Sequence, residues 1–183
     1  MAIVRLVRHG RAAAGWDTDP DPGLDEIGLE QARTVGEALR RAEAAVVLTS
    51  PMRRCRETSA CYAEPSGVDV IVEAAVTEIP APLGVEMAGR ADWLRRVMVG
   101  TWSELDERYT AYRDSVVERI RMCDDGTIVF SHFVAINAVI GAAMSDDRVV
   151  IRRLDNCSVT TMEVIDGEIS LIEGGHEADT LVR

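Results

Sequence analysis

Ala2-Ile3-Val4-Arg5-Leu6-Val7-Arg8-His9-Gly10 opens the chain with an apolar run that stops at a cation, an imidazole and a glycine. The run suits a buried β-strand, and the residues after it lie at the carboxyl end of that strand. The pattern then alternates. Asp25 suits a helix cap, and residues Glu26 to Arg41 place Ile27, Ala32, Val35 and Leu39 on one helical stripe. Ala45–Thr49 reads as a second short strand, and Pro51 suits the first turn of a helix reaching about Ala63. Val68–Val72 reads as a third strand, followed by a Pro-rich loop over Thr77–Gly84. Ala88–Met98 and Ser103–Met122 read as helices, the second with a capping-box-like start at Ser103 and Asp106. Thr127–Ser131 is a fourth strand, and Phe133–Met144 a helix rich in Ala and Ile. Ser158–Ile165 and Glu168–Ile172 flank Asp166-Gly167, a hairpin signal. This order predicts an α/β fold: three layers, α/β/α, around a mostly parallel mixed sheet with an antiparallel hairpin at one side.

The composition agrees with that reading. A chain of 183 residues suits one domain, here taken as 1–183, and neither repeats nor linkers interrupt it. Hydrophobic residues make up 47 % and charged residues 28 %, which excludes a disordered or fibrous chain. The longest apolar stretch, Val134–Met144, is broken by Asn137 and falls short of a bilayer span. Arg5 and Arg8 interrupt the N-terminal apolar run, so no secretory leader, no membrane association and a cytoplasmic location are expected. Cys55, Cys61, Cys123 and Cys157 lack CxxC spacing and read as reduced, mostly buried thiols. The net charge of −11 argues against nucleic acid as a partner. All twenty basic residues are arginine, so Schiff-base and P-loop lysine chemistry are excluded. An anion site in this chain must use guanidinium groups, imidazoles or backbone amides.

In parallel sheets, ligands bind beyond the carboxyl ends of the strands. The first strand ends in Arg8-His9-Gly10 and the second in Thr49-Ser50, with Arg53, Arg54 and Arg56 one turn further on. The third leads to Glu78 and the fourth ends in Ser131-His132. Each element has an ordinary reading when taken singly. His9 also fits a hydrogen-bonded core histidine, the arginine cluster a solvated helix face with one or two members turned inward, and Glu78 a loop carboxylate. His176 reads as a surface residue, and Trp93 and Trp102 as core. Taken together, arginines and helix N-termini make a dianion site. One imidazole is then a nucleophile, a second adds charge if protonated, and a carboxylic acid protonates a departing oxygen. That set describes phosphoryl transfer without a metal or other cofactor.

Five segments carry a family resemblance. Leu6-Val7-Arg8-His9-Gly10 resembles the LVRHG motif of the histidine phosphatase superfamily, the phosphoglycerate mutase-like family. Pro22-Gly23-Leu24-Asp25-Glu26-Ile27-Gly28-Leu29-Glu30-Gln31-Ala32 is similar to its PLTxxGxxQA helix start, and Ser50-Pro51-Met52-Arg53-Arg54-Cys55-Arg56-Glu57-Thr58-Ser59 to its SPLxRAxxTA segment. Val129-Phe130-Ser131-His132 resembles the second-histidine strand, and Asn156-Cys157-Ser158-Val159-Thr160 the late NxSVT strand entry. The segments follow the family's order over nearly the whole chain. The resemblance implies a phosphoglycerate mutase-like fold with a helical cap at about 85–122. It implies His9 as the nucleophile that becomes phosphohistidine, Arg8, Arg54 and Gly10 as phosphate ligands, and His132 as the second pocket histidine. It implies Glu78 as general acid, with Glu73 and Glu86 as the alternative carboxylates.

The departures concern the substrate. Arg11 stands where the family often has Glu, Gln or Asp, Ala12 to Ala14 replace polar contacts, Trp16-Asp17 replaces Trp-Asn, and Phe133 replaces a frequent glycine. Arg11 and Trp16 are therefore the candidate specificity residues at the pocket mouth. The short chain favours a phosphomonoester hydrolase acting on a small phosphorylated metabolite. The alternatives are a phosphohistidine phosphoprotein phosphatase and a non-catalytic phosphate-binding module. A metallohydrolase is disfavoured, because the histidines lack HxH or HxxxH spacing and the arginines repel cations. The expected state is a monomer or weak homodimer. On electrostatic grounds, the arginines are expected to hold His9 neutral and to lower the Glu78 pKa until a bound phosphate raises it again.

Overall fold

The computed structural model describes residues 1–42 and 44–177. Six strands form one sheet: β1 (Ala2–Arg8), β2 (Val46–Thr49), β3 (Val70–Val72), β4 (Thr127–Ser131), β5 (Val159–Ile165) and β6 (Glu168–Glu173). The order across the sheet is β3-β2-β4-β1-β5-β6. The pairs β3/β2, β2/β4 and β4/β1 are parallel, whereas β1/β5 and β5/β6 are antiparallel. The β5–β6 turn has φ of 51° at Asp166 and 83° at Gly167, the left-handed pair that a tight two-residue hairpin needs.

Among the described residues, five α-helices cover the sheet: α1 (Glu26–Leu39), α2 (Arg53–Ser66), α3 (Arg90–Met98), α4 (Glu107–Arg121) and α5 (Phe133–Met144). Side-chain alternation along the strands sorts the two layers. Val7, Val47, Ile128 and Phe130 pack with Val35 and Leu39 of α1 and Tyr62 and Ala63 of α2. Val4, Leu6, Leu48 and Val129 face the other way, onto α4, α5 and Trp102. α5 is buried along most of its length, packed between α4 and the sheet from β1 to β6. The architecture is therefore the three-layer mixed α/β fold expected from the sequence.

Local corrections have physical reasons. Ile27 is 50 % exposed, because Asp25 caps α1 through the Gly28 amide and turns that first-turn side chain outward. α2 starts at Arg53 rather than Pro51 and runs through Pro65 to Gly67, whose φ of 66° closes the helix in the left-handed region. The region expected as one helix from Ser103 is divided. Thr101 and Glu104 form a capping box on a short 3-10 turn at Trp102–Glu104, and Asp106 opens α4. The four cysteines are free thiols; Cys55 and Cys123 are buried, while Cys61 and Cys157 are half-buried. Among the described residues, no helix is long and apolar enough to cross a membrane.

Candidate active site

The sheet register assembles the site. Arg8 of β1 is paired with Ser131 of β4, so the next residues, His9 and His132, leave adjacent strands side by side. Their ring centroids lie 5.2 Å apart. Thr49 of β2 pairs with Phe130 of β4, which brings Ser50 and the start of α2 to the same rim. Of the three clustered arginines, Arg54 alone turns inward and is buried; Arg53 and Arg56 are exposed.

Hydrogen bonding fixes both imidazoles. His9 Nδ1 lies 2.8 Å from the Gly10 carbonyl oxygen, which only accepts, so Nδ1 carries the proton. Arg54 Nε donates to His9 Nε2 at 3.2 Å, so Nε2 presents a lone pair. His132 has the opposite tautomer. Its Nδ1 faces the Arg54 Nη2 donor at 3.1 Å, and its Nε2 donates to Ser50 Oγ at 2.8 Å. One guanidinium thus spans the lone pairs of two neutral imidazoles. Burial, then the charges of Arg54 and Arg8, hold His9 well below the usual histidine range. His132 is depressed by burial, by Arg54, and by His9 and Arg8. The structure therefore holds the second imidazole neutral, where the sequence reading allowed it a positive charge.

Arg8 donates Nη1 to the Leu154 carbonyl at 2.6 Å and lies 5.0 Å over the ring of Phe133, the residue standing where the family often has glycine. Its Nε is buried and has no partner among the described residues. Burial lowers the Arg8 pKa, while Glu78 and Asp155 are the leading opposing charges.

Glu78 occupies the loop after β3, where Oε1 accepts the Ile79 amide at 3.0 Å. The Val134 amide in the first turn of α5 also acts on this carboxyl, which places it beside His132. Burial raises its pKa and outweighs the amides of Ile79 and Val134 and the charges of Arg54 and Arg8. This corrects the expectation that the arginines would dominate: the carboxyl is shifted upward without any bound phosphate. The alternative carboxylates are elsewhere. Glu73 pairs with Arg119 Nε at 2.7 Å and caps the Ala75 amide, and Glu86 is exposed.

Three other expected site residues have partners within the fold. The Gly10 amide donates to Thr58 Oγ1 at 3.0 Å, so it is already engaged. The glycine is needed for another reason: a Cβ there would stand 2.5 Å from the Gly28 carbonyl oxygen. Arg11 is tied to the start of α1, with Nε on Asp25 Oδ2 at 2.6 Å and its amide on Gln31 Oε1 at 2.9 Å. Trp16 packs against Trp93 of α3 at 6.2 Å, and Trp93 in turn against Tyr109 of α4 at 5.3 Å. His176 is exposed, and its carbonyl accepts the Asp155 amide at 2.8 Å.

Several supporting residues were not singled out from the sequence. Asn156 Nδ2 donates to the His9 carbonyl at 3.0 Å, and the Cys157 amide to the Arg8 carbonyl at 3.0 Å. Thr58 links the Gly10 amide to the Arg54 carbonyl, to which its hydroxyl donates at 2.7 Å. Cys55 Sγ lies 3.3 Å from His132 Nε2. Ser50, Thr58 and Asn156 lie inside the motif segments, but a neutral side chain gives no charge signal by which to assign it a contact.

The family model of the histidine phosphatase superfamily (branch 1) matches residues 4–174. The chain belongs to the histidine phosphatase superfamily, branch 1. A relative from Photorhabdus laumondii subsp. laumondii, named as a probable phosphoglycerate mutase GpmB, is 27 % identical over 89 % of this chain and 85 % of its own. Among solved structures, a mycobacterial glucosyl-3-phosphoglycerate phosphatase superposes with a TM-score of 0.74 at 20 % identity, covering 97 % of this chain and 100 % of that one. A phosphoserine phosphatase from Entamoeba histolytica superposes with a TM-score of 0.75 at 16 % identity, covering 98 % of each chain. These structures share the fold of this histidine phosphatase superfamily member. Its paired imidazoles, bridging arginine and raised carboxyl stand at the rim where the parallel strands end.

Proposed function

We propose that this protein is a phosphomonoester hydrolase that works through a phosphohistidine intermediate on a small phosphorylated metabolite. The observation that carries this reading is the forced tautomer of His9: the Gly10 carbonyl holds the proton on Nδ1 and leaves the Nε2 lone pair facing Arg54 and His132. A phosphate dianion competes for the Arg54 donors and meets the unpartnered Arg8 Nε. With Arg54 drawn onto the phosphoryl oxygens, His9 Nε2 attacks phosphorus. The Nε2–P bond forms as the bond from phosphorus to the leaving oxygen breaks, and the Glu78 carboxyl gives its proton to that oxygen. In the second step water attacks phosphorus, the Nε2–P bond breaks, and the water proton passes to the Glu78 carboxylate. Inorganic phosphate leaves and the starting state returns. The segment at 85–122 serves as the cap on the leaving-group side.

Hydrolysis, rather than transfer between hydroxyls, is supported by Ala12, Ala13 and Ala14. These residues follow the His9 loop and offer no polar side chain to retain a phosphorylated product. The test is a screen of phosphorylated metabolites and phosphopeptides with wild type and His9→Ala side by side, with acid-labile phosphoprotein trapped by rapid quench. Turnover and label confined to the wild type are expected. Activity persisting in His9→Ala overturns the nucleophile, and phosphate binding without turnover on any monoester makes the protein a binding module.

A further inference from the structure

Helix α4 runs antiparallel along the segment that carries Glu78 and holds it at three points. Arg119 Nε meets Glu73 Oε2 at 2.7 Å, Tyr112 Oη donates to the Thr77 carbonyl at 3.0 Å, and Arg108 Nη1 donates to the Ala81 carbonyl at 3.1 Å. The outer contacts are partly or fully exposed and individually weak. The middle one adjoins Glu78 directly. On either side of it, Val76 and Ile79 are each 1 % exposed and anchor the segment in the core. The Val76 carbonyl accepts from Ser131 Oγ at 2.7 Å, so two consecutive carbonyls before Glu78 receive hydroxyl donors, one from β4 and one from α4. The Tyr112 ring packs against Trp102 at 6.2 Å, which fixes the direction of the hydroxyl. Burial, then the nearby Glu78 charge, push the phenol well above its ordinary range, so it stays a donor.

We propose that Tyr112 is a positioning residue for the proton-donating carboxyl of Glu78, and that α4 is the splint along residues 73–81. The proposal rests on Glu78 being the general acid. A proton donor matters most when the departing oxygen is strongly basic and least when it leaves unaided. Loss of the Tyr112 hydroxyl therefore slows phosphoryl transfer to His9 from alkyl phosphomonoesters and spares that from 4-nitrophenyl phosphate. A residue that only supports folding affects both alike.

The experiment compares kcat/KM, which covers the phosphorylation step and leaves out the dephosphorylation that Glu78 serves as base, on 4-nitrophenyl phosphate and on the alkyl phosphomonoester turned over fastest, for wild type, Tyr112→Phe, Glu78→Gln and Leu39→Ala. Phenylalanine retains the packing on Trp102. Leu39, buried on α1 on the other face of the sheet, reports the effect of lost stability alone. The expected result for Tyr112→Phe is a loss of roughly tenfold on the alkyl ester and less than about twofold on 4-nitrophenyl phosphate. Glu78→Gln shows the same selectivity more strongly, and Leu39→Ala shows none. If Glu78→Gln is selective and Tyr112→Phe is not, the positioning role falls and the acid stands. If Leu39→Ala matches Tyr112→Phe in selectivity, the effect is general loosening and the proposal is overturned. If Glu78→Gln is itself unselective, the acid assignment falls and takes this inference with it.

Discussion

Gly28→Ala is the sharpest probe of how the fold holds the nucleophile. Gly28 sits in the first turn of α1, where a Cβ would collide with the Arg11 carbonyl oxygen and stand 2.8 Å from the Arg11 nitrogen. Ordinary van der Waals contact begins at 3.4 Å, so helix and loop must part by at least about 0.6 Å. The loop that moves is the His9-Gly10-Arg11 turn, whose Gly10 is already pressed against the Gly28 carbonyl. A 1 Å misplacement of reacting groups costs about a hundredfold, so a loss of roughly tenfold or more in kcat is expected. Overpacking of this kind costs about 1–3 kcal/mol, partly offset by about 1 kcal/mol of helix propensity gained over glycine. Gly36→Ala supplies the comparison on the same helix, since a Cβ there would meet the Cys61 carbonyl oxygen at 2.7 Å, away from His9. Its stability should fall by a similar amount while kcat/KM stays within about twofold of wild type, because no reacting group moves. The assay is steady-state hydrolysis of 4-nitrophenyl phosphate beside thermal unfolding. Wild-type kcat in a folded Gly28→Ala protein, or equal catalytic losses in the two variants, would refute the close-approach argument.

Other outcomes follow from the same geometry. His9 and His132 titrate below their unfolded range near 6.5, so the unfolded chain binds protons first as pH falls; each then removes up to about 1.4 kcal/mol of stability per pH unit below that point. Glu78 is raised and works in the opposite sense, losing stability as pH rises from the ordinary carboxyl range through its folded pKa. Urea unfolding from pH 5 to 7.5 should show stability rising with pH in the wild type and a shallower slope in His132→Asn. The rate should fall with rising pH as Glu78 ionises, and that alkaline limb should vanish in Glu78→Gln; an unchanged limb removes the carboxyl from acid catalysis. Asn156→Ala removes the donor to the His9 carbonyl and should cost about fivefold in kcat/KM, the worth of one neutral hydrogen bond. Turnover should survive a chelator and be blocked by vanadate, and loss of activity in EDTA restored by a divalent cation would contradict the metal-free mechanism.

The sequence by itself determined the architecture and the members of the rim. Apolar strands alternating with capped helices admit few packings, and the residues that follow β1 and β4 must share one sheet edge wherever those strands pair. Arg8, His9 and His132 were legible because charge and imidazole at strand ends stand out against an apolar background, whereas the choice of Arg54 among three clustered arginines and of Glu78 among three carboxylates came from the family resemblance. Only the tertiary structure decided the tautomers of the two imidazoles and the directions in which His9, His132 and Glu78 are shifted. The tautomer of His9 depends on a carbonyl one residue away and a guanidinium 45 positions away, and that of His132 on Ser50, 82 positions away. The direction of the Glu78 shift depended on burial outweighing two cations, which no list of neighbouring residue types reveals. Arg11 looked like a substrate contact because it follows the motif, yet Asp25 and Gln31 of the α1 start take up both its side chain and its amide. Identity is local and is written in the chain; burial and hydrogen-bond partners arise from residues far apart in sequence, and folding alone brings them into contact.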